Sequence, residues 1–241
     1  MKEQLAKYAW AEYFGDDMDF LNRYFATYYS ENNLIINSEK ADDEFIYMGL
    51  IISYNYQYYT NHLTMGYVTA VLTNPIFRNK GYFRVVMQKI FSELIAQNYS
   101  LSCLIPASEE LSETYIRYGY SKCFVEKQNP DLNKSIVHQQ KTYDLYKELG
   151  YDLSTLKPST NGLLRIIDLE KVLEIYAKEN PNLNITYKVI DKQIERNNKL
   201  IEIKSSEIKI INEAEVFEEI TISEITYLLF KDSYMDLMFD Q

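Results

Sequence analysis

The chain has 241 residues, enough for two modest domains, and its 46% apolar content supplies a core and excludes a disordered chain. A formal net charge of −10 disfavours nucleic acid, whose affinity is dominated by phosphate contacts; it is compatible with a cationic partner such as a polyamine or amino sugar, and equally with simple solubility. Two cysteines, Cys103 and Cys123, form no CxxC pair, so no zinc or redox motif is expected and both read as buried thiols in apolar stretches. The opening MKEQLAKYAWAEYFGDD is broken by charges and lacks the apolar run of a secretory signal. The longest apolar runs fall short of a membrane helix. The expectation is therefore a cytoplasmic protein without a membrane partner; a homo-oligomer is compatible with it.

In chain order, Asp16 or Asp17 can cap a helix running to about Ser30, with Phe20, Leu21, Tyr24, Phe25 and Tyr28 at three- and four-residue spacing. Apolar runs at Asn33–Asn37 and Phe45–Tyr54 flank the charged SEKADDE and predict a hairpin. Gly66–Thr73 is β-branched and almost wholly apolar, the pattern of a central strand, and Asn74-Pro75 ends it. After the loop IFRNKG, the stretch YFRVVMQKIFSELIAQN carries one wide apolar stripe and predicts a helix. Leu101–Ile105 reads as a strand ended by Pro106, SEELSETYIRYGY as a helix closed by Gly119, and Tyr120–Val125 as a further strand. The sequence then turns polar: QNPDLNKS is turn-like, HQQKTYDLYKELGYDL a helix, LKPSTNG a linker. Beyond it come strands at Leu163–Ile167, Leu183–Asp191, Lys199–Lys204 and Glu207–Ile211, with helices at Asp168–Glu179 and Ser223–Phe230, the last capped by Ser223. This order predicts an α/β (α+β) fold: a mixed central sheet flanked by helices, then a smaller α/β domain. The expected domains are 1–125 and 161–241, joined by a helical linker over 126–160.

The stretch that carries chemistry is Val71–Arg84, VLTNPIFRNKGYFR: a strand end, a turn with one glycine, and a helix start. A helix start presents unbonded N–H groups and the positive end of the dipole, ready for a phosphate or pyrophosphate. Arg78, Lys80 and Arg84 add positive charge there in an otherwise acidic chain, and Gly81 permits positive φ or close backbone approach. An ordinary strand-to-helix turn would share these features.

Arg78–Gly81 after a strand and Pro75 resembles motif A of the GNAT acetyltransferases, Arg/Gln-x-x-Gly-x-Gly/Ala. In that family the loop amides hold the coenzyme A pyrophosphate and the preceding strand bonds the pantetheine arm. The sixth position here is Phe83 rather than Gly or Ala, and RNKGYFRVVM resembles the version in acetyltransferases of the enhanced-intracellular-survival type. The resemblance implies acetyl-CoA as co-substrate, no metal, and a binding set of Val71, Leu72, Thr73, Arg78, Asn79, Lys80, Gly81, Tyr82, Phe83 and Arg84. A second block, LIPASEELSETYIRYGY, resembles the family segment ending Tyr-x-x-x-Gly-Phe/Tyr, and puts Tyr115 where these enzymes keep a general-acid tyrosine; a packing aromatic is the other reading. NGLLRIIDLEKVLE and ISEITYLLF resemble the sterol-carrier-like domain that ends the longer relatives, so the whole resembles a shortened two-domain relative. In those relatives the terminal carboxylate reaches the active site, a role the resemblance extends to Gln241.

The expected activity is acetyl transfer from acetyl-CoA to a primary amine of a small, polyamine-like acceptor. The strand end Val71–Thr73 would polarise the thioester carbonyl through a backbone N–H, with Tyr115 as acid. The base is open between the terminal carboxylate, an acidic side chain and an ordered water. The alternative is a non-catalytic acyl-CoA or apolar-ligand binding module. His62 and His138 have no partner at ligand spacing, so a metal site is not expected. The cluster YNYQYY (residues 54–59) reads either as a cleft wall or as a strand edge with half-buried rings.

Overall fold

A computed structural model describes residues 2–38, 45–125, 133–137, 139–152 and 160–235. It is a mixed α/β structure. One sheet has the order β1-β2-β3-β4-β6 with β5 on β2, and a second has the order β10-β7-β8-β9. The chain forms two compact units, residues 1–53, 67–93 and 138–156 in one and residues 54–66, 94–137 and 157–241 in the other.

The first unit opens with α1 (Lys2–Phe14) and α2 (Met18–Tyr28). Asp17 caps α2 by accepting from the Phe20 amide. The sequence did not reveal α1, whose buried residues are two alanines, Ala6 and Ala9, with Lys7 and Trp10, too little for an apolar stripe. The Trp10 ring meets Tyr24 and Phe25 edge-on at 5.2 and 6.0 Å, and its N–H donates to Asp16 at 2.7 Å. Strand β1 (Leu34–Ser38) pairs antiparallel with β2 (Phe45–Tyr58), Leu34 opposite Leu50, as the hairpin pattern required. Residues 45–52 of β2 are buried without alternation, because both faces of the strand are covered. Helix α3 (Tyr82–Ala96) lies on one face; a Cβ at Gly49 would stand 3.2 Å from Ile90 Cδ1, so the absent side chain lets the helix settle there. Val86, Met87, Ile90 and Phe91 are all buried on its inner stripe, each contributing about 1.5–3 kcal/mol. Helix α5 (Gln140–Glu148) joins α2 through the Tyr28 hydroxyl, which donates to Thr142 Oγ1 at 2.8 Å.

Strand β3 (Asn61–Thr73), with residues 61–66 in the second unit and 67–73 in the first, starts after a two-residue turn from β2 that has Tyr59 at φ +52. Strand β4 (Leu101–Leu104) pairs antiparallel with β6 (Leu163–Ile166), and β5 (Lys134–Val137), which the turn-like reading of its sequence missed, pairs with the far end of β2. Tyr54, Tyr56 and Tyr58 are wholly buried, and the rings of Tyr56 and Tyr58 lie 5.6 and 4.7 Å from Phe230. The tyrosine cluster is therefore core rather than cleft wall.

Helix α4 (Glu109–Arg117) is capped by Ser108. The expected strand over Tyr120–Val125 is replaced by single bridges from Ser121 to Leu164 and from Phe124 to Ser233: the segment serves two partners and cannot ladder along either. Helix α6 (Leu169–Glu179) leads to β7 (Asn184–Ile190), β8 (Lys199–Lys204), β9 (Glu207–Ile211) and β10 (Glu218–Thr221). Strand β10 runs parallel to β7 and had no sequence signal. Helix α7 (Ile222–Phe230) is capped by Thr221, not Ser223: the Thr221 hydroxyl accepts from the Glu224 amide and the Glu224 carboxylate accepts from the Thr221 amide.

Candidate active site

Ala70, inside β3, has φ +51, a left-handed conformation that costs an L-residue roughly 1–2 kcal/mol. It interrupts the strand just before Val71, Leu72 and Thr73, the residues expected to face a thioester. Val71 and Thr73 are half-buried and Leu72 is buried. The strand ends at Asn74, which is buried; its amide donates to the Ile46 carbonyl at 2.9 Å, its side-chain NH2 to the Phe45 carbonyl at 3.1 Å, and its side-chain oxygen accepts from the Ile76 amide at 3.2 Å. This side chain ties the loop to β2 and starts the short 3-10 turn Pro75–Phe77.

The loop then folds back. Arg78 Nε donates to the Thr73 carbonyl at 3.4 Å, Lys80 Nζ sits 5.1 Å from the centre of the Phe77 ring, and that ring meets Tyr82 edge-on at 6.0 Å. Asn79 at φ +63 and Gly81 at φ +82 turn the chain into α3. The amides of Arg84 and Val85 bond back to the Gly81 carbonyl at 3.1 and 3.4 Å. Those of Gly81 and Tyr82 come before Arg84, the first amide of the turn to donate to a helix carbonyl. Nothing lies within 4 Å of the position a Gly81 Cβ would take, so the turn leaves open space at the helix start. Arg78, Asn79, Lys80 and Arg84 are exposed around it, with Tyr82 and Phe83 half-buried. Free amides, a helix dipole and three cations around a backbone cradle suit a phosphate or pyrophosphate. The fit holds at Gly81 in particular, where a side chain would fill the space. The ten residues of the expected binding set thus belong to one unit.

Tyr115 belongs to the other unit. It is buried on α4, with its ring 5.9 Å from that of Tyr120 and nearly perpendicular to it. Burial, and secondarily the neighbouring Tyr120, push its phenol well above the ordinary value. Such a group is protonated at neutral pH, as a proton donor must be. The turn after α4 is closed by the amides of Tyr118 and Tyr120 bonding to the Tyr115 carbonyl at 2.9 and 3.3 Å, with Gly119 at φ +89. Tyr120, fully buried, shares a 2.8 Å hydrogen bond with Ser102 on β4.

Sequence reasoning missed Arg165. This side chain is fully buried in β6 and its Nη2 donates to both oxygens of Asp191 at 2.8 and 2.7 Å. The one available signal was a lone arginine in the apolar run LLRII, since a buried guanidinium requires an acidic partner. Cys103 and Cys123 are both buried, and burial raises both thiols. His62 is exposed, and among the described residues there is no group of three or more His, Cys, Asp or Glu able to hold a metal. No described helix is long and apolar enough to cross a membrane. His138 and Gln241 lie outside the described residues.

Comparison with solved structures finds the same fold at low identity. A conserved protein of unknown function from Enterococcus faecalis superposes with a TM-score of 0.69 at 13% identity, covering 94% of this chain and 86% of that one. Eis1 from Mycobacterium abscessus gives 0.63 at 8% identity over 82% and 80% of the two chains. A GCN5-related N-acetyltransferase from Anabaena variabilis gives 0.63 at 13% over 93% and 86%. A comparison with curated proteins finds no match. The model of the acetyltransferase (GNAT) domain family matches residues 3–123, half of the 241-residue chain and the part that contains both the β3–α3 turn and Tyr115. The chain belongs to the GNAT family of acetyltransferases.

Proposed function

We propose that this acetyltransferase moves the acetyl group of acetyl-CoA directly to a primary amine of a small, cationic acceptor. The observation that carries the coenzyme reading is the β3–α3 turn: Gly81 at φ +82 with open space above its Cα, at the start of a fifteen-residue helix. Amides of Gly81 and Tyr82 would hold the pyrophosphate, with Phe83 beside them and Arg78, Asn79, Lys80 and Arg84 supplying charge and hydrogen bonds around it. Val71, Leu72 and Thr73 would run beside the pantetheine arm, and a backbone N–H there would stabilise the carbonyl oxygen as charge develops.

In the transfer, a base (the terminal carboxylate, an acidic side chain or an ordered water) takes the ammonium proton, and the freed amine nitrogen bonds to the acetyl carbon as the carbon–sulfur bond breaks. The departing thiolate takes its proton from Tyr115, and the proton shed by the new amide nitrogen returns Tyr115 to the phenol. No covalent enzyme intermediate is required. The net charge of −10 supports a cationic acceptor. On the sequence resemblance we assign the acetyl-CoA-binding domain to residues 1–125, the linker to 126–160 and a sterol-carrier-like domain to 161–241. A panel of polyamines and amino sugars, scored for acetyl-CoA-dependent thiol release, tests the reading. Release that depends on a primary amine supports it, and release with no amine acceptor refutes the proposed transfer.

A further inference from the structure

The buried pair Arg165–Asp191 does more than fill the core of its unit. One arm of the guanidinium, Nη2, is spent on Asp191 at 2.8 and 2.7 Å, while the other, Nη1, donates to the carbonyl of Tyr118. Asp191 is itself fixed: its carboxylate accepts from the amides of Gln193 and Ile194 at 2.9 and 3.1 Å and from the Asn197 side chain at 3.0 Å. The charged end of Arg165 is therefore held on a rigid acceptor set.

The Tyr118 carbonyl belongs to the turn that ends α4. The amide of Tyr118 bonds to the Tyr115 carbonyl, as does the amide of Tyr120, whose ring abuts that of Tyr115 at 5.9 Å. The turn is built around the guanidinium: a Cβ on Gly119 would overlap Arg165. Tyr120 is held from two further sides, by Ser102 on its hydroxyl at 2.8 Å and by the Ser223 hydroxyl, which donates to its carbonyl at 2.7 Å. A displacement of the 118–119 peptide would reach Tyr115 through both the turn and the ring contact.

We propose that Arg165 is a positioning residue for Tyr115, setting the phenol's place through the Tyr118 carbonyl and the Tyr120 ring. This rests on the reading of Tyr115 as the acid. Arg165 and Asp191 both lie beyond the 3–123 match of the family model, so the C-terminal half of the chain takes part in acid placement.

A double-mutant cycle on the full chain tests this, with kcat and the KM for acetyl-CoA measured for Arg165→Lys, Tyr115→Phe and the double variant. Lysine keeps a positive charge for Asp191, but its single ammonium cannot reproduce the fork that also reaches Tyr118. Arg165→Lys should lower kcat about tenfold and leave KM within about twofold, since misplacement of a reacting group is felt in turnover. On the Tyr115→Phe background the same change should cost less than about twofold, because the group it positions is gone. Losses that multiply would overturn the proposal while leaving Tyr115 as the acid. A Tyr115→Phe enzyme at full rate would overturn both readings. Asp191→Asn, which keeps an acceptor oxygen for the amides of Gln193 and Ile194, runs the same cycle if Arg165→Lys does not fold.

Discussion

Replacing Gly81 by valine separates the backbone role of this residue from its role in binding. The free protein should pay only for conformation. At φ +82 an L-residue is strained by about 1–2 kcal/mol, and no atom lies within 4 Å of the new Cβ. For a chain of 241 residues, about 2–4 °C of melting temperature per kcal/mol gives a drop of about 2–8 °C. Acetyl-CoA at about 100 times its dissociation constant stabilises the wild type by about 2.7 kcal/mol, or about 5–11 °C. If the valine methyl groups occupy the pyrophosphate's place and weaken binding about 100-fold, the same concentration leaves about 0.4 kcal/mol, a shift of about 1–2 °C. Gly15→Val is the control: its φ is +87, its Cβ position is equally open, and it lies in the turn between α1 and α2. That variant should lose baseline stability and keep the whole ligand shift. Thermal denaturation with and without acetyl-CoA reads all three proteins. A wild-type ligand shift in Gly81→Val would refute the assignment of the loop.

Gly119→Ala should be among the most damaging small substitutions, because its Cβ would overlap the Arg165 guanidinium, come 2.7 Å from Ile222 Cγ2, and sit at φ +89. A loss of about 3 kcal/mol or more is expected in urea denaturation; a loss under about 1 kcal/mol would contradict the packing described. Hydrogen bonds from the Thr221 amide and hydroxyl hold the Glu224 carboxyl below its ordinary value of 4.5. A depressed folded pKa stabilises the fold fully above the unfolded value, and that contribution is lost as pH falls through the folded one. Thr221→Ala should therefore cost about 1 kcal/mol at about pH 7 and less at about pH 3; an equal gap at both would deny the charge a part in the cap. The Tyr115 phenol, raised above its ordinary value of 10.0, stays protonated through about pH 9.5, so no alkaline loss of turnover below that point should disappear in Tyr115→Phe.

Periodic elements were legible where side chains alone decide them. The α2 cap at Asp17 and the α3 stripe follow from spacing, and the largely apolar run of β3 from its place inside the sheet, buried from Met65 to Val68 and alternating buried and half-buried from Thr69 to Thr73. Turns were harder, because residues other than glycine take positive φ: Tyr59 after β2, and Ser205 and Ser206 between β8 and β9. These are the places where hairpin signals based on Asn-Gly or Asp-Gly are silent. Strand β10 and the bridges at Ser121 and Phe124 depend on partners far along the chain, which local pattern does not encode. At the candidate site, the glycine, the cations and the helix start could be read from Val71–Arg84. The left-handed Ala70 could not, since alanine carries no sign of it, nor could the reach of Arg165 to the α4 turn.

The most direct test of the central claim is acetyl transfer itself, measured as thiol release together with mass-resolved acetylated amine, for the wild type and Tyr115→Phe at saturating acetyl-CoA. The wild type should release one thiol per acetylated primary amine, and Tyr115→Phe should do so about 10²-fold more slowly or worse, with little change in acetyl-CoA affinity. Transfer by Tyr115→Phe at the wild-type rate, or an absence of acetylated product from every amine supplied, would contradict the account.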